Sequence, residues 1–174
     1  GNGGVFDGPI PHEASLMLGM SFDRIDIKTG KRLYQKIEGD KIYCGPIEQS
    51  NSKLARAISV DYRAVTDTIK KIKKDPDLKN FFSSIEPTPN LKNTAQKVGW
   101  GVIELIPENP HIPGIFLGVA KIIADEGISI RQAIGEDYEL TENPRFLIVT
   151  EESIPSKLIS KIKQVKGIKG ITIY

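Results

Sequence analysis

The chain has 174 residues, 39% of them apolar and 26% charged, a balance that suits one or two small globular domains and excludes a mainly disordered chain. A net charge of +2, from 24 basic and 22 acidic side chains, excludes a chain that is basic throughout, so any affinity for nucleic acid must be local. One cysteine, Cys44, excludes an internal disulfide framework; with only His12 and His111 beside it, no zinc site of several Cys or His ligands can be assembled. No cofactor is expected.

No apolar run approaches the ~20 residues that cross a bilayer, and the start lacks the basic-then-apolar order of a secretory signal, so the chain reads as cytoplasmic. Gly1-Asn2-Gly3-Gly4 reads as flexible. Residues 1–40 hold 5 basic and 6 acidic side chains, 41–98 hold 11 and 6, and 99–174 hold 8 and 10, which confines the positive charge to the middle. Turn-like Lys28-Thr29-Gly30-Lys31 and Glu38-Gly39-Asp40 separate short apolar runs around Ile25, Leu33 and Ile42, the pattern of a small strand meander.

From Ser50 the chain predicts two short helices. Ser50 or Asn51 can cap the first and Asp61 the second, because their side-chain oxygens accept from unpaired first-turn amides. Leu54, Ala55, Ile58 and then Val65, Ile69, Ile72 recur at three and four residues, one buried stripe per helix, with Val60 at the corner. This stretch resembles the helix-turn-helix family, which carries Leu-Ala where Leu54-Ala55 stand, a turn ending at Val60 and a cap at Asp61. Ser59 stands where the family often has Gly and must accept or avoid a left-handed backbone. The resemblance implies binding to double-stranded DNA. Tyr62, Arg63, Thr66, Asp67 and Lys70 of the second helix would face a groove, while Lys53, Arg56, Lys71, Lys73 and Lys74 would reach phosphates. The plain alternative is a solvated helix end, since lysines suit the negative end of the helix dipole.

Asp75-Pro76-Asp77 then opens a helix with Leu78, Phe81, Phe82 and Ile85 on one face. Glu86-Pro87-Thr88-Pro89-Asn90 reads as an extended linker, because each proline removes a donor and biases its predecessor away from helix.

Beyond Gly99 the elements run βαββαβ: Val102 to Ile106, a helix from Ile115 to Ile123 closed by Gly127, Ile128 to Ile134, and Phe146 to Thr150. A helix opened by Ser153 and Pro155, and a strand from Ile168 to Tyr174, complete the order. Right-handed crossovers put both helices on one face of a four-stranded antiparallel sheet, the ferredoxin-like arrangement; the other face is left uncovered, which favours association. Trp100 and Tyr174 are expected at the sheet ends, and Cys44 as a small, partly buried side chain.

The stretch IPGIFLGVAKIIADEGISIRQ resembles the ACT domain, a small-ligand regulatory module. The resemblance implies an amino-acid effector at an interface between paired modules. Its contacts would come from Asn109, His111, Ile112, Gly114 and Ile115 around the first helix start, and from Ser129, Ile130, Arg131 and Gln132 on the next strand. A helix start offers unpaired amides and partial positive charge, which suits a carboxylate, and Asn109 could take up the ammonium. Gly114 could instead only relieve crowding, and Arg131 could pair with Glu136 or Asp137.

The two halves together, with the phrases GDKIYCGPIE, NPRFLIVTEESIP and GISIRQ, resemble an archaeal family of regulators of amino-acid metabolism. The expected class is α+β. An extension over 1–40, flexible or strand-rich, precedes a helix-turn-helix domain over 41–86, with or without a β-wing. A linker over 87–98 and a ferredoxin-like ACT domain over 99–174 follow. The expected function is a transcription regulator, acting as a homodimer or higher homo-oligomer through the ACT domain, whose DNA affinity answers to an amino acid. The alternative is a regulatory subunit docked on a metabolic enzyme. Catalysis finds no nucleophile and base pairing, no phosphate-cradling loop and no metal cluster in the sequence.

Overall fold

The computed structural model describes residues 35–138 and 143–174. The fold is mixed α+β with two antiparallel sheets, divided into two compact units at Thr88 and Pro89. The expected N-terminal flexibility and the runs around Ile25 and Leu33 lie outside the described residues.

In the first unit β1 (Lys36–Glu38), β2 (Lys41–Cys44) and β3 (Ile47–Gln49) form an antiparallel meander. Its turns use Gly39 and Gly45 at φ of 63° and 56°, a left-handed backbone that favours glycine. Ile37 and Ile42 sit opposite one another and point into the core. The expected boundary between residues 40 and 41 therefore falls inside a hairpin; one sheet runs through it.

Three helices follow: α1 (Asn51–Ala57), α2 (Tyr62–Lys74) and α3 (Pro76–Ser83). Each begins at a side-chain cap. Ser50 accepts from the Lys53 amide, Asp61 from the Arg63 amide at 2.7 Å, and Asp75 from the amides of Asp77 and Leu78. Leu54, Val65, Ile69, Ile72, Leu78 and Phe82 close one core with Ile37 and Ile42, and Phe81 meets Phe82 edge to face at 5.1 Å. The apolar face of α3 is thus spent inside its own unit.

Between α1 and α2 the Val60 amide donates to the Ala55 carbonyl and the Ser59 amide to that of Arg56, the double bond that ends a helix through one left-handed residue. Ser59 is that residue, at φ 58°, the one non-glycine with positive φ among the described residues. Gly127 repeats both bonds in the second unit, and at Gly99 the Trp100 amide reaches the Ala95 carbonyl in the same way, with a glycine at positive φ in each case.

The second unit opens with α4 (Lys92–Lys97), where a linker over 87–98 was expected. Its sheet comprises β4 (Gly101–Pro107), β5 (Ile130–Gly135), β6 (Phe146–Thr150) and β7 (Ile168–Ile173) in the order β5-β6-β4-β7, every neighbour antiparallel. Helices α5 (Ile115–Asp125) and α6 (Ser156–Lys163) share one core with the sheet: Ile115, Val119, Ile123, Leu158 and Ile162 pack with Ile103, Leu105 and Ile148. Gly118 permits the close approach of the segment after α6, since a Cβ there would lie 2.8 Å from Val165 Cγ1. Ser153 does not open α6; Pro155 holds the cap position and makes no side-chain cap bond.

The other face of this sheet is not bare. Ala95 of α4, fully buried, sits on Val102, Leu147 and Val149, with Leu91, Trp100 and Ile134 around them. Strand residues alternate between faces, so one helix turn suffices to cover the second set.

Candidate functional site

Two sets of residues carry the chemistry, one in each unit. In the first, the α1–α2 turn delivers the start of α2 with its cap in place, and the buried stripe of Val65, Thr68, Ile69 and Ile72 fixes what faces outward. At 3.6 residues per turn, Arg63, Asp67, Lys70 and Lys74 form the column opposite that stripe. All four are exposed. Tyr62, 51% exposed, the half-buried Thr66 and Lys73 lie along one flank, and Lys71 lies on the other. Thr66 Oγ1 donates to the Arg63 carbonyl at 3.0 Å, so its hydroxyl proton is spent on the helix.

Lys53 and Arg56 are exposed on α1. Two of the lysines have carboxylate partners: Lys70 with Asp67 at 3.2 Å, and Lys73 with Asp40 in the β1–β2 turn at 2.9 Å. Exposed pairs of this kind are worth about 0–1 kcal/mol. They bias the lysines without withholding them from a stronger anion. The meander is not a basic wing: Lys41 is bonded to Glu48 at 2.7 Å, which raises the Lys41 pKa, and Lys36 lies 3.3 Å from Glu38.

In the second unit the chain leaves β4 through a turn in which the Asn109 carboxamide oxygen accepts from the His111 amide at 2.9 Å. That bond uses one of the two lone pairs of the oxygen. The His111 ring lies 4.0 Å from the Tyr138 ring, centroid to centroid. Ile115 is buried and Ile112 partly buried, both beside Gly167, where a Cβ would crowd Ile115. Gly114 caps α5 at φ 87°, and a Cβ there would meet nothing within 4 Å. Backbone conformation, not crowding, is what asks for glycine. No side chain caps the first turn of α5, and the Gly118 amide is the one that bonds back to Gly114.

The strand residues expected to complete this site lie elsewhere. Thr150 of β6 pairs with both Gly101 and Ile130, so Ile130 is level with the start of β4. Gly114 follows the end of that strand, about 20 Å away along the sheet. A single chain therefore does not bring Gly114 together with Ser129, Ile130, Arg131 and Gln132. Ser129 is exposed, and its carbonyl accepts from the Glu151 amide. Arg131 places its guanidinium 3.8 Å over the Trp100 ring. Gln132 is spent on backbone: its oxygen accepts from the Leu91 amide at 2.9 Å and its nitrogen donates to the Pro89 carbonyl at 2.7 Å.

One group escaped the sequence reading. Glu104, within the apolar run of β4, is buried on the α4 face and accepts from Lys92 Nζ at 2.8 Å, Tyr174 Oη at 2.8 Å and Arg145 at 3.2 Å. Lys92 also lies 4.0 Å over the Tyr174 ring. Burial pushes the Glu104 carboxyl up, but the bonds from Lys92 and Tyr174 and the charges of Lys92 and Arg145 outweigh it and hold the pKa below the ordinary carboxylate range. Burial likewise pulls Lys92 down, while Glu104 and Tyr174 bring it to a net rise. A charge inside an apolar strand was the signal to follow.

Among the described residues no three His, Cys, Asp or Glu side chains converge as metal ligands, and no helix is long and apolar enough to cross a membrane. No protein family matches the chain, and no curated protein does. Among solved structures, a homoserine dehydrogenase from Thiobacillus denitrificans is 16% identical over 76% of this chain and 30% of its own, with a TM-score of 0.34. The chain thus spans under a third of that protein's length. The protein PH0061 is 20% identical over 72% of this chain and 78% of its own, with a TM-score of 0.24. Likenesses at this distance assign neither family nor function.

Proposed function

We propose that the chain is a DNA-binding transcription regulator that responds to an amino acid, with α1 and α2 as its helix-turn-helix and the second unit as an ACT-type effector module. The observation that carries this reading is the outward column of α2. A capped helix, set at a tight turn, presents Arg63 and Asp67 near its start and Lys70 and Lys74 farther along, which matches base contacts first and phosphate contacts after. One such helix makes too few contacts for tight specific binding, so the regulator acts as a homodimer or higher homo-oligomer.

Oligomerisation also answers the geometry of the ligand residues. β5 is an edge strand. A second copy paired antiparallel along that edge brings the start of its β5 toward the Gly114 end of the first. The effector carboxylate then rests on the uncapped first-turn amides of α5, and Ser129 and Ile130 come from the other copy. Coupling of about 1–3 kcal/mol between the sites changes operator affinity about 5- to 150-fold.

The test is selection of a duplex from a randomised pool, followed by anisotropy titrations against salt. Log affinity falls with log salt by ~0.9 per phosphate contact, and Arg63→Ala weakens the selected duplex more than an unrelated one. Gly114→Asp sets a carboxylate where the effector's own belongs, so it abolishes the response to a mixture of the twenty amino acids and leaves basal DNA binding. A flat salt response overturns the reading; retention of a stoichiometric enzyme in its place points to the regulatory-subunit alternative.

A further inference from the structure

Residues 89–100 cross the sheet face away from α5 and α6, held by a small apolar contact over Val102, Leu147 and Val149 and by a few polar bonds. Apolar burial in α4 itself is limited to Ala95, flanked by Leu91 and Trp100. Two consecutive residues of β5 hold the rest: Gln132 bonds Pro89 and Leu91, and Arg131 lies on Trp100. They can do so because the register slips between Ile130 and Gln132, a bulge that frees Arg131 from strict alternation. Lys92 adds a third hold through Glu104 and Tyr174.

A six-residue helix with one fully buried residue of its own, held over Val102, Leu147 and Val149 by a few specific bonds, belongs to the less stable end of a fold, where opening occurs without global unfolding. It is also the segment through which the chain arrives from the first unit. Ile85 packs on the first core and Pro87 lies against Gly45, so with α4 docked little chain is free after α3; with α4 released, residues 89–100 add about 40 Å of reach at full extension.

We propose that α4 is a releasable strap latched by Gln132, and that β5 uses this latch to report occupancy of the ligand site to the DNA-binding unit by changing the length of the tether. The strap is a two-state element within the second unit. Its reporting role rests on the amino-acid reading above, because Ser129 and Ile130 directly precede the latch residues.

Hydrogen exchange on the full chain tests it. In Gln132→Ala the amides of Ala95, Val98 and Trp100 should exchange about tenfold faster or more, while those of Ile103, Leu105 and Ile148 keep their rates. Acceleration of both groups together, or of neither, overturns the strap. In the wild type, a mixture of the twenty amino acids should change exchange at Ala95 to Trp100; no change, under conditions where the mixture raises the melting temperature, overturns the reporting role. Lys92→Met, which lies outside the ligand residues, should reduce the effect of the mixture on duplex affinity several-fold, and an unchanged effect counts against reporting. A wild-type chain that selects no duplex overturns the DNA reading alone, since the exchange rates still decide the strap.

Discussion

The two units start their helices differently. In the first, α1, α2 and α3 each begin at a Ser or Asp that accepts from first-turn amides. In the second, α4, α5 and α6 begin at Leu91, Gly114 and Pro155, none of which makes a side-chain cap bond; Asn90, one residue before Leu91, accepts from the Lys92 amide at 3.0 Å, so α5 and α6 are the two that start without one. Local chemistry therefore sets where α1, α2 and α3 begin, whereas packing against a sheet sets α5 and α6. The uncapped amides are a cost to stability that a ligand can offset, and α5 is where the proposed effector would do so.

The comparison breaks most visibly in the cores. Phe82→Ala should cost about 3–5 kcal/mol and Leu158→Ala about 2–5 kcal/mol. Exchange protection should fall first at α2 in the former and at β4 and β6 in the latter; equal loss everywhere would show that the two cores do not melt as separate bodies.

Next comes pH. The Glu104 pKa is lower folded than unfolded, so the unfolded chain takes up the proton first, and stability from this group is full above the ordinary carboxylate range and lost as pH falls through the depressed value. The Lys92 pKa is raised, so its contribution is full below the ordinary lysine value of 10.5 and lost as pH rises through the folded value. Glu104→Gln should cost about 1–3 kcal/mol at neutral pH and flatten the acid limb of denaturant midpoints for the second unit. An unchanged acid limb would mean that Glu104 is not what the second unit loses in acid.

Asp61→Ala should remove about 1 kcal/mol from the first unit in urea melts. The smallest effect is Ser59→Gly, which places at the α1–α2 turn the residue that glycines 99 and 127 supply elsewhere. It should stabilise by up to about 1 kcal/mol, and a loss of stability would mean that the Ser59 side chain contributes more than its backbone costs.

The same contrast explains what could be read from sequence. Ser50, Asp61 and Asp75 announce their helices, and the three-and-four spacing of Val65, Ile69 and Ile72 names the buried side of α2. Phe146–Thr150 is a β-branched and aromatic run with no competing period. Helix α4 was hidden because it is six residues long with one fully buried residue, Ala95, too short a stripe to show a period, and because Asn90, which accepts from the Lys92 amide, follows Pro87 and Pro89, which read as a linker. The partners that Arg131 and Gln132 find beside α4, Trp100, Leu91 and Pro89, are likewise named by nothing in the strand's own residues. Glu104 was legible in principle, as one charge in an apolar run, but its three partners are brought in by α4, the segment before β6 and the residue after β7.

The covered sheet face also restricts how copies can meet. Stacking two sheets back to back would require stripping α4 from Val102, Leu147 and Val149 and pressing the Glu104 carboxylate with its cations into a dry contact. Desolvating that cluster is expensive, whereas the outer edges of β5 and β7 need no such exposure. Pairing of copies, if it occurs, is steered sideways, toward a continuous ribbon of strands.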